Sequence, residues 1–414
     1  MMQSFTLIFL VFLFAATVVQ IWLSLRQKQS VQTHRAAVPK AFAGKISLAE
    51  HQKAADYTLA KGQFGRIQII LGVIVLLAWT LGGGLEWLDQ AWRSLGWGAL
   101  WTGTAVILSM TFITSLIDLP SSLYSTFVLE ERFGFNKTTL KTFIMDMLKG
   151  SALGLVIGVP LILFVLWLME SAGSAWWIYA WAGLTVFSLI MTWAYPKFIA
   201  PLFNKFQPLE EGEVASRIHA LLERTGFNSQ GVFVMDGSRR SAHGNAYFTG
   251  FGKNKRIVFF DTLLKHLTPS QIEAVLAHEL GHFKRKHIVK GMILSVLMTF
   301  IGFGVLAWLM QQPWFYSSLG VTQPSTYMAL ILFMIVSPVF TFFVSPILAR
   351  LSRKHEFEAD EFAAQQSSAT ELIAALVGLY KENASTLTPD PLHSAFYDSH
   401  PPAAIRIAHL QKQT

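Results

Sequence analysis

Seven apolar stretches, each near the roughly 20 residues a helix needs to cross a bilayer, limit this chain to a multi-pass membrane fold. They run over Phe5–Leu25, Ile67–Leu85, Trp97–Leu119, Gly150–Met169, Ala175–Tyr195, Ile288–Met310 and Met328–Ala349. Composition agrees: 52% of the 414 residues are hydrophobic and 14% are charged, against roughly 25% charged in soluble proteins. Thirteen Trp and 33 Phe suit lipid and its interfaces. A soluble binding module is excluded. The first stretch lacks a basic n-region and is longer than a signal-peptide core, so an uncleaved anchor is expected. Cysteine is absent, which rules out disulfides, thiolate metal sites and cysteine nucleophiles.

Loop charge predicts an orientation. Arg26, Lys28, Arg35, Lys40, Lys45, Lys53, Lys61 and Arg66 lie between the first two stretches, and the next loop has only Arg93. Arg132, Lys137, Lys141 and Lys149 follow, while Ser171–Ser174 and Gln311–Thr326 carry no Lys or Arg. This alternation places the N-terminus outside and the C-terminus in the cytoplasm. Pro196–His287 and the tail after Arg350 then share the cytoplasmic side. The net charge of +8 reflects basic loops facing the inner leaflet, so the lipid bilayer is a partner and nucleic acid is not. Pro160, Pro338 and Pro346 are expected to kink their spans. Gly154 and Gly158 form a G-x-x-x-G that either admits a close helix contact or serves as ordinary small packing.

The chemistry is carried by His278-Glu279-Leu280-Gly281-His282, an H-E-x-x-H on a predicted helix. Residues i and i+4 share a helix face, so His278 and His282 can offer imidazole nitrogens to one metal ion. Glu279 is placed to take a proton from a water at that ion. Zinc is the expected cofactor, one per chain, held by three protein ligands with a fourth position open. Thr268-Pro269-Ser270-Gln271 gives the helix an N-cap, a proline at N1 and a Gln at N3. Ile272, Val275, Leu276 and Leu280 form its apolar face.

The third ligand is expected in His355-Glu356-Phe357-Glu358-Ala359-Asp360-Glu361, which reads as a helix following the last span. Glu356 and Asp360 are i,i+4 neighbours, while Glu358 points elsewhere. Glu356 is assigned as the ligand and Asp360 as the group that orients a ligand imidazole. Gly231–Met235, Asn245–Thr249 and Arg256–Phe260 are β-prone, the last two joined by the turn-rich Gly250–Lys255. A strand edge beside the metal helix can align an extended peptide by β-addition; a purely structural hairpin would look the same. His400-Pro401-Pro402 and Arg406 fit an oxyanion donor or an anchor for a substrate carboxylate, and equally a loop-to-helix junction. His219, His243, His266, His287 and His393 have no matching partners in sequence and are taken as structural.

In chain order, Glu130-Glu131-Arg132-Phe133-Gly134-Phe135-Asn136-Lys137, Gly237-Ser-Arg-Arg-Ser-Ala-His-Gly-Asn245-Ala-Tyr247-Phe, His278–His282, Glu356-Phe-Glu-Ala-Asp360 and His400-Pro-Pro resemble the type I CAAX prenyl protease family. These are integral-membrane zinc endopeptidases of the M48 class, and the resemblance covers nearly the whole chain. It implies a mainly α fold, with seven transmembrane helices enclosing a chamber and a cytoplasmic gluzincin-type α+β protease domain. It implies Glu356 as third ligand and Asp360 as its supporting residue. Asn245, Ala246 and Tyr247 would border the peptide cleft, and His400 and Arg406 would bind substrate near the zinc, with His400 also a candidate catalytic donor. The implied substrate is a peptide or protein prenylated at a C-terminal CAAX, trimmed of its last three residues.

The expected organisation is five transmembrane helices in 1–195, a protease segment in 196–287, spans six and seven in 288–349, and a C-terminal segment with the third ligand in 350–414. The compact, cysteine-free chain suggests a bacterial inner-membrane protein. Two rivals remain on sequence grounds. A membrane-protein quality-control protease would usually have fewer spans, and a transporter with a vestigial zinc site would need charges inside the spans, which contain almost none.

Overall fold

The computed structural model describes residues 2–249 and 255–413. Five long helices come first: α1 (Met2–His34), α2 (Leu48–Trp79), α3 (Ala99–Tyr124), α4 (Leu140–Ser171) and α5 (Trp176–Ala194). After an intervening α/β segment come α6 (Pro269–Lys284), α7 (His287–Leu309), α8 (Thr326–Thr341), α9 (Ser345–Gln366), α10 (Ala369–Glu382) and α11 (Ala403–Leu410). Among the described residues, seven helical runs are long and apolar enough to cross a membrane, as expected.

Their boundaries depart from hydropathy for identifiable reasons. α2 begins at Leu48, well before its apolar window, because Ser47 and Glu50 form a reciprocal capping box. It ends at Trp79 rather than Leu85: Gly82, Gly83 and Gly84 break it, and Gly83 sits at φ +76, where a side chain would be strained. Leu85 instead belongs to the short helix Gly84–Arg93. The seventh span does not stop at Ala349. A single 3-10 turn at Phe342–Val344 separates α8 from α9, and the helical run continues to Gln366. Pro160 and Pro338 lie inside helices, but Pro346 occupies the first turn of α9, where the missing N–H is harmless. The Gly154–Gly158 pair faces open space, with no atom within 4 Å of a Cβ at either residue, so it mediates no close contact among the described residues.

The spans form a closed ring of neighbours. α1 packs on α2, α3 on α4, α4 on α5, α5 on α7, α7 on α8, and α8 back on α1. α2 meets α3 through Phe64 against Tyr124, Gln68 with Ser121 and Trp79 with Thr114. The two larger of three buried cores among the described residues are far apart, the third being a small cluster around Tyr57, Leu129 and Phe135. One gathers Phe9, Trp79, Leu166, Trp176, Leu306 and Tyr327; the other joins the α/β segment to the C-terminal helices, around Ile218, Phe259, Leu276 and Leu376. Between them no residue of 58–78, 140–164 or 288–305 is buried within the chain. Such helices touch along narrow seams, and α8 also meets α3 and α4.

The α/β segment carries a four-stranded sheet: β1 (Phe206–Pro208), β2 (Val232–Met235), β3 (Ala246–Thr249) and β4 (Arg256–Phe260), in the order β1-β2-β4-β3. β2 and β4 are parallel, and the two outer strands run antiparallel to their neighbours. β1 was not expected, since Phe206-Gln-Pro208 has no alternating pattern. The expected turn over Gly250–Lys255 falls largely outside the described residues.

α6 and α9 cross at very short range. A Cβ on Gly281 would stand 2.8 Å from the Cα and 3.0 Å from the carbonyl oxygen of Ala359. Ala274, Ala277, Ala359 and Ala363 are all fully buried around this crossing. Gly281→Ala is therefore expected to destabilise the fold by about 1–3 kcal/mol through overpacking, read as a lower midpoint of thermal unfolding. Gly154→Ala should be neutral or stabilising by up to about 1 kcal/mol, since a helical glycine is replaced without a clash.

Candidate metal centre

α6 starts as its sequence dictates. Gln271 N–H donates to Thr268 Oγ1, Thr268 N–H donates to Gln271 Oε1, and Pro269 opens the first turn. Ile272, Val275, Leu276 and Leu280 are buried, which turns His278, Glu279 and His282 toward α9 and the sheet. α9 contributes Glu356 and Asp360, one turn apart. His278 Nε2 and His282 Nε2 stand 3.2 Å from each other. Glu356 Oε1 is 3.3 Å from His282 Nε2, and Oε2 is 3.4 Å from His278 Nε2. One ligand-type atom from each of the three lies within 4.8 Å of the others.

This donor set fits a metal ion. Glu356 is 4% exposed, and its Oε2 has no hydrogen-bond partner among the described residues. Arg406 Nη1, at 3.5 Å, offers it charge without a hydrogen bond. A buried carboxylate oxygen left unmatched beside two imidazole nitrogens is unfavourable unless a cation completes the set.

Asp360 is fully buried and serves two partners. Its Oδ1 accepts from His278 Nδ1 at 2.8 Å, and its Oδ2 accepts from Arg406 Nε at 2.9 Å. Arg406 Nη2 also donates to Oδ1. With Nδ1 protonated, His278 turns its Nε2 lone pair toward Glu356 and His282, the tautomer a metal requires. Burial and Arg406 oppose the charged imidazole, yet the bonds to Asp360 and Glu356 outweigh them and push His278 up to about 9. A metal ion displaces that proton when it binds.

Glu279 faces a pocket of about 310 Å³, lined also by Asn245, Ala246, His278, Tyr380 and His400. Burial pushes its carboxyl above the ordinary value, against the pull of His278 and His282. A carboxyl moved toward neutrality is suited to taking and returning a proton. Asn245 is exposed at the pocket edge, and its carbonyl accepts Phe260 N–H. Tyr247 lies on β3 with its ring edge against Phe260, outside the residues lining this pocket. His400 stands over the cluster, Nε2 3.4 Å from Glu356 Oε1 and its side chain 63% exposed. Arg406 also lines the pocket, but it is buried, and Asp360 takes up its Nε and Nη2.

The motif around Phe133–Lys137 joins the membrane helices to this site. Ala242 N–H donates to Phe135 O, Lys137 N–H donates to Arg240 O, and Asn136 bridges to Ser241. Arg240 forms a bidentate pair with Asp146 of α4, at 2.7 and 2.8 Å. His243 stacks on Phe135, 4.2 Å between ring centroids. Asn383 then clamps Gly244, accepting from its N–H at 3.0 Å and donating to its carbonyl at 3.3 Å, which holds the chain leading to Asn245 beside the pocket. Sequence reasoning missed Asn383, which carries no motif signal. It also set aside His287, which the structure brings against His282, and Glu358, which stands against His287.

Comparisons with known proteins cover both halves of the chain. Residues 27–205 match the family described as CAAX prenyl protease N-terminal, five membrane helices, and residues 208–414 match peptidase family M48. A CAAX prenyl protease 1 homolog of Arabidopsis thaliana is 36% identical over 407 residues, covering 96% of this chain and 95% of the relative. CAAX prenyl protease 1 of Saccharomyces cerevisiae is 38% identical over 317 residues, with 73% and 70% covered. The crystal structure of S. mikatae Ste24p superposes with a TM-score of 0.91 at 33% identity, covering 98% of both chains. These relatives are from plants and yeasts, and the expectation of a bacterial source finds no support in them. Nor do they support the quality-control alternative. Matched along both halves, the chain belongs to the CAAX prenyl protease 1 family of M48 integral-membrane metalloendopeptidases.

Proposed function

We propose that this chain is a zinc endopeptidase that removes the C-terminal tripeptide from prenylated CAAX proteins. The observation that carries the proposal is the convergence of His278, His282 and Glu356, with Glu279 beside them, on a pocket bordered by Asn245 and Ala246. The two histidines through Nε2, and Glu356 through its carboxylate, would hold the ion. Bound zinc supplies Lewis acidity, polarising the scissile carbonyl and acidifying the attacking water. Glu279 accepts the proton from that water and returns it to the leaving amine. Asp360 fixes His278, and Arg406 fixes Asp360 while lining the pocket. His400 Nε2 donates to the developing oxyanion. The open edge of β3, with Tyr247 along it, is suited to an extended peptide.

The proposed organisation has four parts: the helices of 1–195, the protease segment 196–287, spans six and seven within 288–349, and the closing segment 350–414. The distribution of basic loops supports an N-terminus outside and a site on the cytoplasmic face. Because the native chain has no cysteine, single-cysteine variants test this directly. Ser174→Cys should react with an impermeant thiol reagent from the outer side of sealed cells, and Lys412→Cys only after permeabilisation. The opposite pattern reverses the orientation.

Detergent-purified wild type is expected to cleave a farnesylated CAAX peptide and to contain about one zinc. Glu279→Gln should keep the zinc and lose about 100- to 10,000-fold in turnover. Wild-type turnover by that variant refutes the base assignment; zinc without cleavage by wild type refutes the substrate. Arg406→Met leaves Asp360 short of its buried partner and is expected to lower stability by about 3–5 kcal/mol. A raised KM at unchanged thermal stability would make Arg406 a substrate contact alone.

A further inference from the structure

His278 has a carboxylate at its back, but His282 has another imidazole. His282 Nδ1 lies 3.0 Å from His287 Nδ1, and His287 Nε2 lies 2.9 Å from Glu358 Oε2. The His287 side chain is 4% exposed and its ring stacks on His355, 4.0 Å between centroids and 12° from parallel. The turn between α6 and α7 sets this up. Lys286 takes φ +58, a left-handed conformation uncommon outside glycine, and folds His287 back against the helix it has just left.

Two ring nitrogens at hydrogen-bond distance can share only one proton. If His282 Nε2 is to present a lone pair beside Glu356, its Nδ1 must carry the hydrogen and donate it to His287 Nδ1. His287 must then hold its own hydrogen on Nε2, and Glu358 is the acceptor in place there. One chain of donors thus runs from the metal-facing imidazole to a carboxylate, and it also gives Glu358, which lies off the Glu356–Asp360 face of α9, a partner.

Resting on the metal centre proposed above, we infer that His287 and Glu358 are positioning residues that fix the tautomer and ring orientation of His282. The start of the sixth membrane helix is then part of the metal site, through a residue that touches no substrate.

The test is metal affinity of the full-length protein in detergent, by chelator competition with Zn2+ and by the absorption spectrum with Co2+. His287→Phe keeps a ring against His355 but removes the acceptor, and is expected to weaken the ion by about 10–100-fold with a changed cobalt spectrum. His287→Gln, whose amide can accept from His282 and donate to Glu358, should restore most of the loss. Glu358→Ala, at a side chain 27% exposed, should weaken binding in the same direction with the metal-free unfolding midpoint unchanged. It decides the matter even where His287→Phe folds poorly. Wild-type affinity and spectrum in His287→Phe or Glu358→Ala overturn the inference, as does a His287→Gln no better than His287→Phe. Metal retained by His282→Ala, or none bound by wild type, overturns the metal centre itself and the inference with it.

Discussion

The site depends on how closely two helices can approach. Glu356 sits between His278 and His282 only because α6 and α9 meet backbone to backbone at Gly281 and Ala359. A side chain at position 281 would push the helices apart, and the carboxylate would withdraw from both imidazoles together. The glycine inside the H-E-x-x-H pentapeptide is therefore a packing residue with a chemical consequence. Small residues around it, Ala277 and Ala359 among them, let the crossing be tight without strain.

That closeness creates an electrostatic problem, which the C-terminal segment relieves. Glu356 and Asp360 bring two carboxylates into a buried space, and neither is tolerated there unpaired. α11 returns across α9 with Arg406, which engages Asp360 through Nε and Nη2 and points Nη1 toward Glu356. A buried ion pair of this kind is weak evidence of net stability, because desolvation offsets much of the attraction. Its benefit lies in direction. Asp360, held by Arg406, accepts from His278 Nδ1 in one geometry and so commits the opposite nitrogen to the centre of the cluster. The last residues of the chain thereby govern a histidine that lies far earlier in sequence.

Much of this was legible in the sequence, and what was missed follows a pattern. Periodicity and capping located α6, because a capping box, an N1 proline and an apolar face all depend on neighbours in sequence. The i,i+4 spacing of Glu356 and Asp360 was visible for the same reason. Hydropathy found seven spans but misplaced their ends: three glycines end α2 early, and α9 carries the seventh span past its apolar window into the acidic cluster. What escaped is what depends on the chain folding back on itself. His287 is only five residues from His282, yet spacing assigned it no role, because the left-handed turn at Lys286 is not written in residue type. Asn383 reaches Gly244 across tertiary structure alone. The contact between the Phe133–Lys137 motif and the chain around Arg240 was visible as two motifs, never as one joint.

The same connections tie the chemistry to the membrane. α6 passes into the sixth span through the single residues Arg285 and Lys286, and α9 continues the seventh span after one 3-10 turn. The two helices that bear the cluster are thus joined by short turns to two neighbouring spans, for α7 packs on α8. Within the ring the spans bury little of themselves, between 6% and 33% of each apolar window. The stiffness of the assembly must therefore come from its ends: the core around Tyr327 and Trp176 at one, and the packed protease segment at the other. The metal cluster lies within the second of these, at the α6–α9 crossing. One tight helix contact thus sets the geometry of the chemistry, one short turn away from each of the last two membrane helices.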